Sequence, residues 1–88
     1  MTGKISPSKK GFQDERYRAL IQKLVDQRKA LEWSQEDLAG MLGRHQQFVS
    51  RYEIGERRLD VVEFIDIARC LKLGGPELMK SIIPIENG

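Results

Sequence analysis

Apolar residues in this chain recur three and four positions apart, and no segment sustains two-residue alternation. That periodicity is one face of an α-helix and gives no support to half-buried strands. The longest such stripe runs through Tyr17, Leu20, Ile21, Leu24, Val25 and Leu31, within a helix over residues 14 to 31. Asp14 and Glu15 open it, which suits the positive end of the helix dipole. No glycine or proline interrupts it.

Capping residues and glycines divide the rest into shorter helices. Ser34 reads as an N-cap, Glu36 and Asp37 fill the first turn, and Gly43 stops the segment. Gln46 to Glu53 forms the next, with Val49 and Tyr52 one turn apart and Gly55 closing it. Asp60 and Glu63 have the spacing of a capping box that opens a helix over 61 to 72. Val61, Val62, Phe64, Ile65, Ile67, Ala68, Cys70 and Leu71 surround most of that helix, so it is expected to be the central, most buried one. Gly74 and Gly75 break it, and Pro76 suits the first turn of a fifth helix, Glu77 to Ile82, that Pro84 ends. The expected fold is all-α, with five helices in a compact domain over residues 13–83. A flexible basic arm at 1–12 precedes it, and a frayed tail at 84–88 follows.

Length and composition remove several function classes. A chain of 88 residues is one small domain, without room for a deep catalytic cleft and a cofactor domain. No apolar run approaches the roughly 20 residues of a membrane span. Met1 to Gly11 lacks the apolar stretch of a signal peptide. Cys70 is the only cysteine, which excludes an internal disulfide, fits a reducing compartment and leads to an expected cytoplasmic location. With His45 the only histidine, no zinc site of the usual kind is expected, and no cofactor. No nucleophile and base stand at a recognisable spacing, and no glycine-rich loop would cradle a phosphate, so an enzyme is the least supported class.

Residues 35–53 carry the informative pattern. Two short helices meet at a tight turn containing Gly43, which is the helix-turn-helix arrangement. Ala39 is small where the second helix must cross closely, and Leu38, Leu42, Val49 and Tyr52 are apolar where the faces turn inward. Such a pair can place its second helix in a DNA major groove.

Here the chain resembles the phage-repressor (Cro/repressor-type, XRE) helix-turn-helix family. The resemblance rests on Leu24 and Arg28, on Trp33-Ser34-Gln35-Glu36-Asp37-Leu38-Ala39-Gly40-Met41-Leu42-Gly43, and on Gln46-Gln47-Phe48-Val49-Ser50-Arg51-Tyr52-Glu53-Ile54-Gly55-Glu56-Arg57. Phe64 to Leu71 resembles the family's fourth helix, so about residues 17 to 82 are covered. The resemblance implies a five-helix repressor-type DNA-binding domain, usually dimeric, in which helices 2 and 3 form the helix-turn-helix. It also implies that Gln46 and Gln47 are base-contact positions and that Arg28 braces the second helix. This chain departs from the pattern at Glu32, where glycine is common, at Trp33, at His45, where Ser or Thr often caps, at Phe48, and at Leu59.

Side-chain chemistry suggests the individual roles. A glutamine amide donates and accepts together, matching adenine N6 and N7, so Gln46 and Gln47 are base-reading candidates or simply solvated. Arg51, one turn on with Ser50, suits guanine, a phosphate or an ion pair within the fold. Gln35 is placed to hold a phosphate and to brace Gln46. Arg44, Arg57 and Arg58 flank the third helix as phosphate ligands or solvated charges. His45 is a turn residue that can approach a phosphate, and Phe48 either packs inward or meets a thymine methyl group. Cys70 reads as a small buried hydrophobe.

The net charge of +2 conceals a gradient. Residues 1–12 carry +3, 13–33 carry +1, 34–58 are neutral, and 59–88 carry −2. A DNA-facing side would therefore come from arrangement, with the acidic side free to meet protein. The leading expectation is a sequence-specific regulator of double-stranded DNA, a dimeric repressor reading a palindromic operator through the major groove. The alternative is an antitoxin-like or controller subunit that holds a protein partner. The apolar C-terminal residues Leu78, Met79, Ile82, Ile83 and Ile85 either cover the core or form a self-association or partner surface.

Overall fold

The computed structural model describes residues 14–74 and folds them into four α-helices. Helix α1 spans Glu15–Ala30, α2 Gln35–Leu42, α3 Gln46–Ile54 and α4 Val61–Cys70. Three of them start on an acceptor side chain in extended backbone. Asp14 accepts from the Arg16 N–H, Ser34 from the Asp37 N–H and Asp60 from the Glu63 N–H. The Asp37 and Glu63 carboxylates accept in return from the N–H groups of Ser34 and Asp60. Each capping box pairs donors that a helix start otherwise leaves bare. Helix α3 is the exception, because His45 fills its N-cap position without a side-chain bond.

All four helices close in one way. Glu32, Gly43, Gly55 and Lys72 adopt left-handed backbone, with φ of 62°, 70°, 91° and 62°. The next residue then donates back into the last turn: Trp33 to Arg28, Arg44 to Ala39, Glu56 to Arg51 and Leu73 to Ala68. These bonds satisfy carbonyls at the helix ends. Glycine takes this backbone freely, whereas Glu32 and Lys72 bear a steric cost of about 1 kcal/mol. At Gly55 space is also short, since a Cβ would stand 3.0 Å from Arg18 Nη1.

The core gathers Ile21, Leu24 and Val25 of α1, Leu38 and Ala39 of α2, and Phe48, Val49 and Tyr52 of α3. Ile67 of α4 joins them, as do Leu59 and Leu71. Helix α2 packs chiefly on α3, α1 also meets α3, and α4 lies against α2. Helices α2 and α3 are thereby each held by a further helix.

Three expectations are corrected. Four helices, not five, build the described structure. Glu77 to Ile82, the arm at 1–12, and the tail residues Leu78, Met79, Ile82, Ile83 and Ile85 lie outside the described residues. Helix α4 is also not the most buried. It buries only Ile67 and Ala68, while Val61, Val62 and Ile65 are 72%, 65% and 45% exposed. Its apolar circumference is wider than the face α2 covers. Cys70 is half-buried at the edge of that face rather than buried. No helix among the described residues is long and apolar enough to cross a membrane.

Candidate nucleic-acid interface

Helix α3 is two-faced. It buries Phe48, Val49 and Tyr52 and exposes Gln46, Gln47 and Arg51, with Ser50 half-buried between them. Ala39, 2% exposed, permits the close crossing, and left-handed Gly43 turns the chain into α3. Exposed amide and guanidinium groups therefore lie along one side of a helix held rigidly on the other.

The rigid hold centres on Glu53. Arg28 donates from Nε to Glu53 Oε2 at 2.7 Å and from Nη2 to Oε1 at 3.0 Å, and both side chains are buried. The third guanidinium nitrogen, Nη1, donates to the Trp33 carbonyl at 2.7 Å. Arg28 thus joins α1, the turn before α2, and α3. Its pKa is raised above the ordinary arginine value, first by the hydrogen bond to Glu53. Gln35 Nε2 donates to Glu53 Oε1 at 2.8 Å, and Gln46 Nε2 donates to Gln35 Oε1 at 3.4 Å. The last bond is long, so Gln46 is guided while its amide stays accessible.

A second cluster forms on the flank of α3. Arg57 donates from Nη1 to Glu63 Oε1 and from Nη2 to Oε2, both at 2.8 Å. Arg44 Nη1 stands 3.5 Å from the same carboxylate. Both guanidinium groups lie over the Phe48 ring, Arg44 at 3.9 Å from its centroid and Arg57 at 4.9 Å. Phe48 meets Tyr52 edge to face, with centroids 5.6 Å apart. The hydrogen bond from Arg57 holds the Glu63 carboxyl below its ordinary pKa.

The candidate residues therefore fall into three places. Gln46, Gln47, Ser50 and Arg51 share the open face of α3, with Gln35 behind Gln46 and His45 exposed at its start. Arg44 and Arg57 belong to the Glu63 cluster. Arg58 lies apart, 5.6 Å above the Tyr17 ring of α1. Among the described residues no ion pair engages Arg51. Phe48 is packed inward, beneath Arg44 and Arg57. Sequence reasoning passed over Glu53 and Glu63 as arginine partners. Glu53 follows Arg28 by 25 residues, a spacing with no local signature, and Glu63 was legible only as a cap. No group of three or more side chains able to hold a metal ion occurs among the described residues.

A glycine-turned helix pair whose second helix presents amides and an arginine defines a helix-turn-helix DNA-binding protein. The family model described as Helix-turn-helix matches residues 24–78. The chain is similar to an XRE-family like protein from Pseudomonas syringae pv. tomato str. DC3000, at 40% identity and a TM-score of 0.76, over 88% of this chain and 94% of that one. No curated protein matches it significantly. The chain belongs to the XRE-type helix-turn-helix family, and it is a non-catalytic DNA-binding regulator.

Proposed function

We propose that the protein is a cytoplasmic dimeric repressor that reads a palindromic operator through the major groove. The observation that carries this reading is the open face of α3, where Gln46, Gln47, Ser50 and Arg51 stand together with Gln46 tethered to Gln35. Gln46 and Gln47 read adenine edges, and Arg51 reads guanine or an adjacent phosphate. Gln35, Arg44 and Arg58 serve backbone phosphates, and His45 borders them at the turn. A dimer spaces two such helices about 34 Å apart, one turn of duplex, which makes the site palindromic.

Selection of bound duplexes from a random pool tests this. The expected outcome is a palindromic consensus, with Gln46→Ala and Gln47→Ala each costing about 1–3 kcal/mol on it. A consensus unaffected by both substitutions would remove the assigned contacts. No duplex binding at low salt would overturn the function.

A second reading, a controller or antitoxin-like subunit, is favoured by the exposed Val61, Val62 and Ile65 of α4. A solution complex with a second protein that dissociates on Ile65→Glu supports it. A stable homodimer that binds operator alone counts against it.

A further inference from the structure

We propose that Glu63 masks Arg57 from the phosphates of bound DNA and so holds down the protein's sequence-independent affinity. The proposal rests on the DNA-binding reading and adds to it a residue outside the helix-turn-helix. A carboxylate offers a guanidinium the same pair of oxygens that a phosphate does. The Nη1 and Nη2 edge of Arg57 is already taken by both Glu63 oxygens, and Nη1 also donates to the Arg58 carbonyl at 3.0 Å. The Phe48 ring lies under the group at 4.9 Å from the centroid. A phosphate can use that edge only by displacing Glu63.

Arg44 provides the contrast within the same cluster. It stands on the same ring, and its side chain is 41% exposed against 39% for Arg57. Its approach to Glu63 is 3.5 Å, without a hydrogen bond, so its donors stay available. Pairing, not exposure, separates the two arginines.

Glu63 is well placed to act as a fixed mask. Its side chain is 14% exposed and is held by Arg57 and by the Asp60 N–H at 3.1 Å. Its capping duty does not need a charge, because glutamine serves in a capping box as well as glutamate. What the carboxylate adds over an amide at this position is one negative charge against Arg57 and Arg44. Sequence-independent binding is mainly phosphate neutralisation, so one masked arginine is one contact fewer on every duplex. A lower background affinity leaves more of the protein free to find its own site.

The test uses the full chain, a random-sequence duplex and a salt titration. Glu63→Gln keeps the cap and frees Arg57. The expected result is binding roughly three- to tenfold tighter at about 50 mM salt, with the slope of log affinity against log salt steeper by about 0.9. Glu63→Gln with Arg57→Gln removes both charges of the pair and is expected to return affinity to within about twofold of the wild type. Equal or weaker binding by Glu63→Gln overturns the proposal. So does a several-fold loss in the double variant, which would mean that Arg57 grips a phosphate with Glu63 in place. If Glu63→Gln melts below the assay temperature, the double variant, whose net charge equals that of the wild type, keeps the test, since a several-fold loss there overturns the proposal. Wild-type binding with no gain in Glu63→Gln sinks the mask alone, whereas no binding by any form sinks the DNA reading with it.

Discussion

Glu53 and Glu63 each grip an arginine through both carboxylate oxygens, one inside the fold and one at its rim. The Arg28–Glu53 pair is 9% and 6% exposed, against 39% and 14% for Arg57–Glu63. The inner pair is also saturated: Arg28 donates to the Trp33 carbonyl, and Gln35 donates to Glu53. The outer pair shares its carboxylate with Arg44 and its ring with Phe48, and water reaches it. Removing one partner therefore means different things. Inside, a charge is stranded without water. Outside, solvent replaces the partner and screens the loss. The inner cluster fixes where α3 sits, and the outer one adjusts the charge beside it.

The largest expected effect is that of Arg28→Met, which leaves Glu53 buried without a cation and the Trp33 carbonyl without a donor. Denaturant unfolding is expected to show a loss of about 3–5 kcal/mol. A loss under about 1 kcal/mol would erase the distinction between the clusters. Next is Glu63→Gln, expected to cost about 0.5–1 kcal/mol because water reaches the half-buried Arg57. That cost should shrink in about 1 M salt, while the cost of Arg28→Met should not. Equal salt sensitivity would place both pairs in the same environment.

Acid sharpens the comparison further. The Glu63 carboxyl titrates below its ordinary value of 4.5, mainly through the hydrogen bond from Arg57. A depressed carboxyl contributes stability above its unfolded pKa and loses it as pH falls through the folded one. Stability of the wild type should therefore fall faster than that of Glu63→Gln below the ordinary value. Parallel curves from neutral pH down to strong acid would remove the rim pair from the account. The smallest effect expected has the opposite sign. Glu32→Gly relieves the left-handed backbone just before Trp33 and should raise stability by about 0.5 kcal/mol in thermal unfolding. No gain would mean that the Arg28 bond to Trp33 already offsets the strain.

Much of the fold was legible because its signals are local. Ser34, Asp60 and Glu63 announce helix starts through bonds spanning three residues. Gly43 and Gly55 announce stops through a single dihedral. Glu32, in place of the common glycine, closes α1 with the same backbone, so the stop survives the substitution at a steric cost. The open face of α3 was legible too, since Phe48, Val49 and Tyr52 are apolar where Gln46, Gln47, Ser50 and Arg51 are not. The burial of α4 was misjudged for the converse reason. An apolar side chain states what it prefers, not whether a neighbour is present to cover it, and Val61 and Val62 have none among the described residues.

From its sequence alone, the chain determined where the four described helices begin and end to within a residue or two, which faces of the first three turn inward, and that the second and third form a helix-turn-helix. Those outcomes follow from hydrogen bonds and side-chain spacing within a turn or two of chain. Tertiary packing decided what each charge does. Arg28 meets Glu53 across 25 residues, Gln35 meets Glu53 across 18, and Gln35 meets Gln46 across 11. Packing also set which arginine is buried, which is masked and which stands open to solvent. The strength of a charge depends on the dielectric around it and on the partner it meets, and neither exists until the helices have closed on one another.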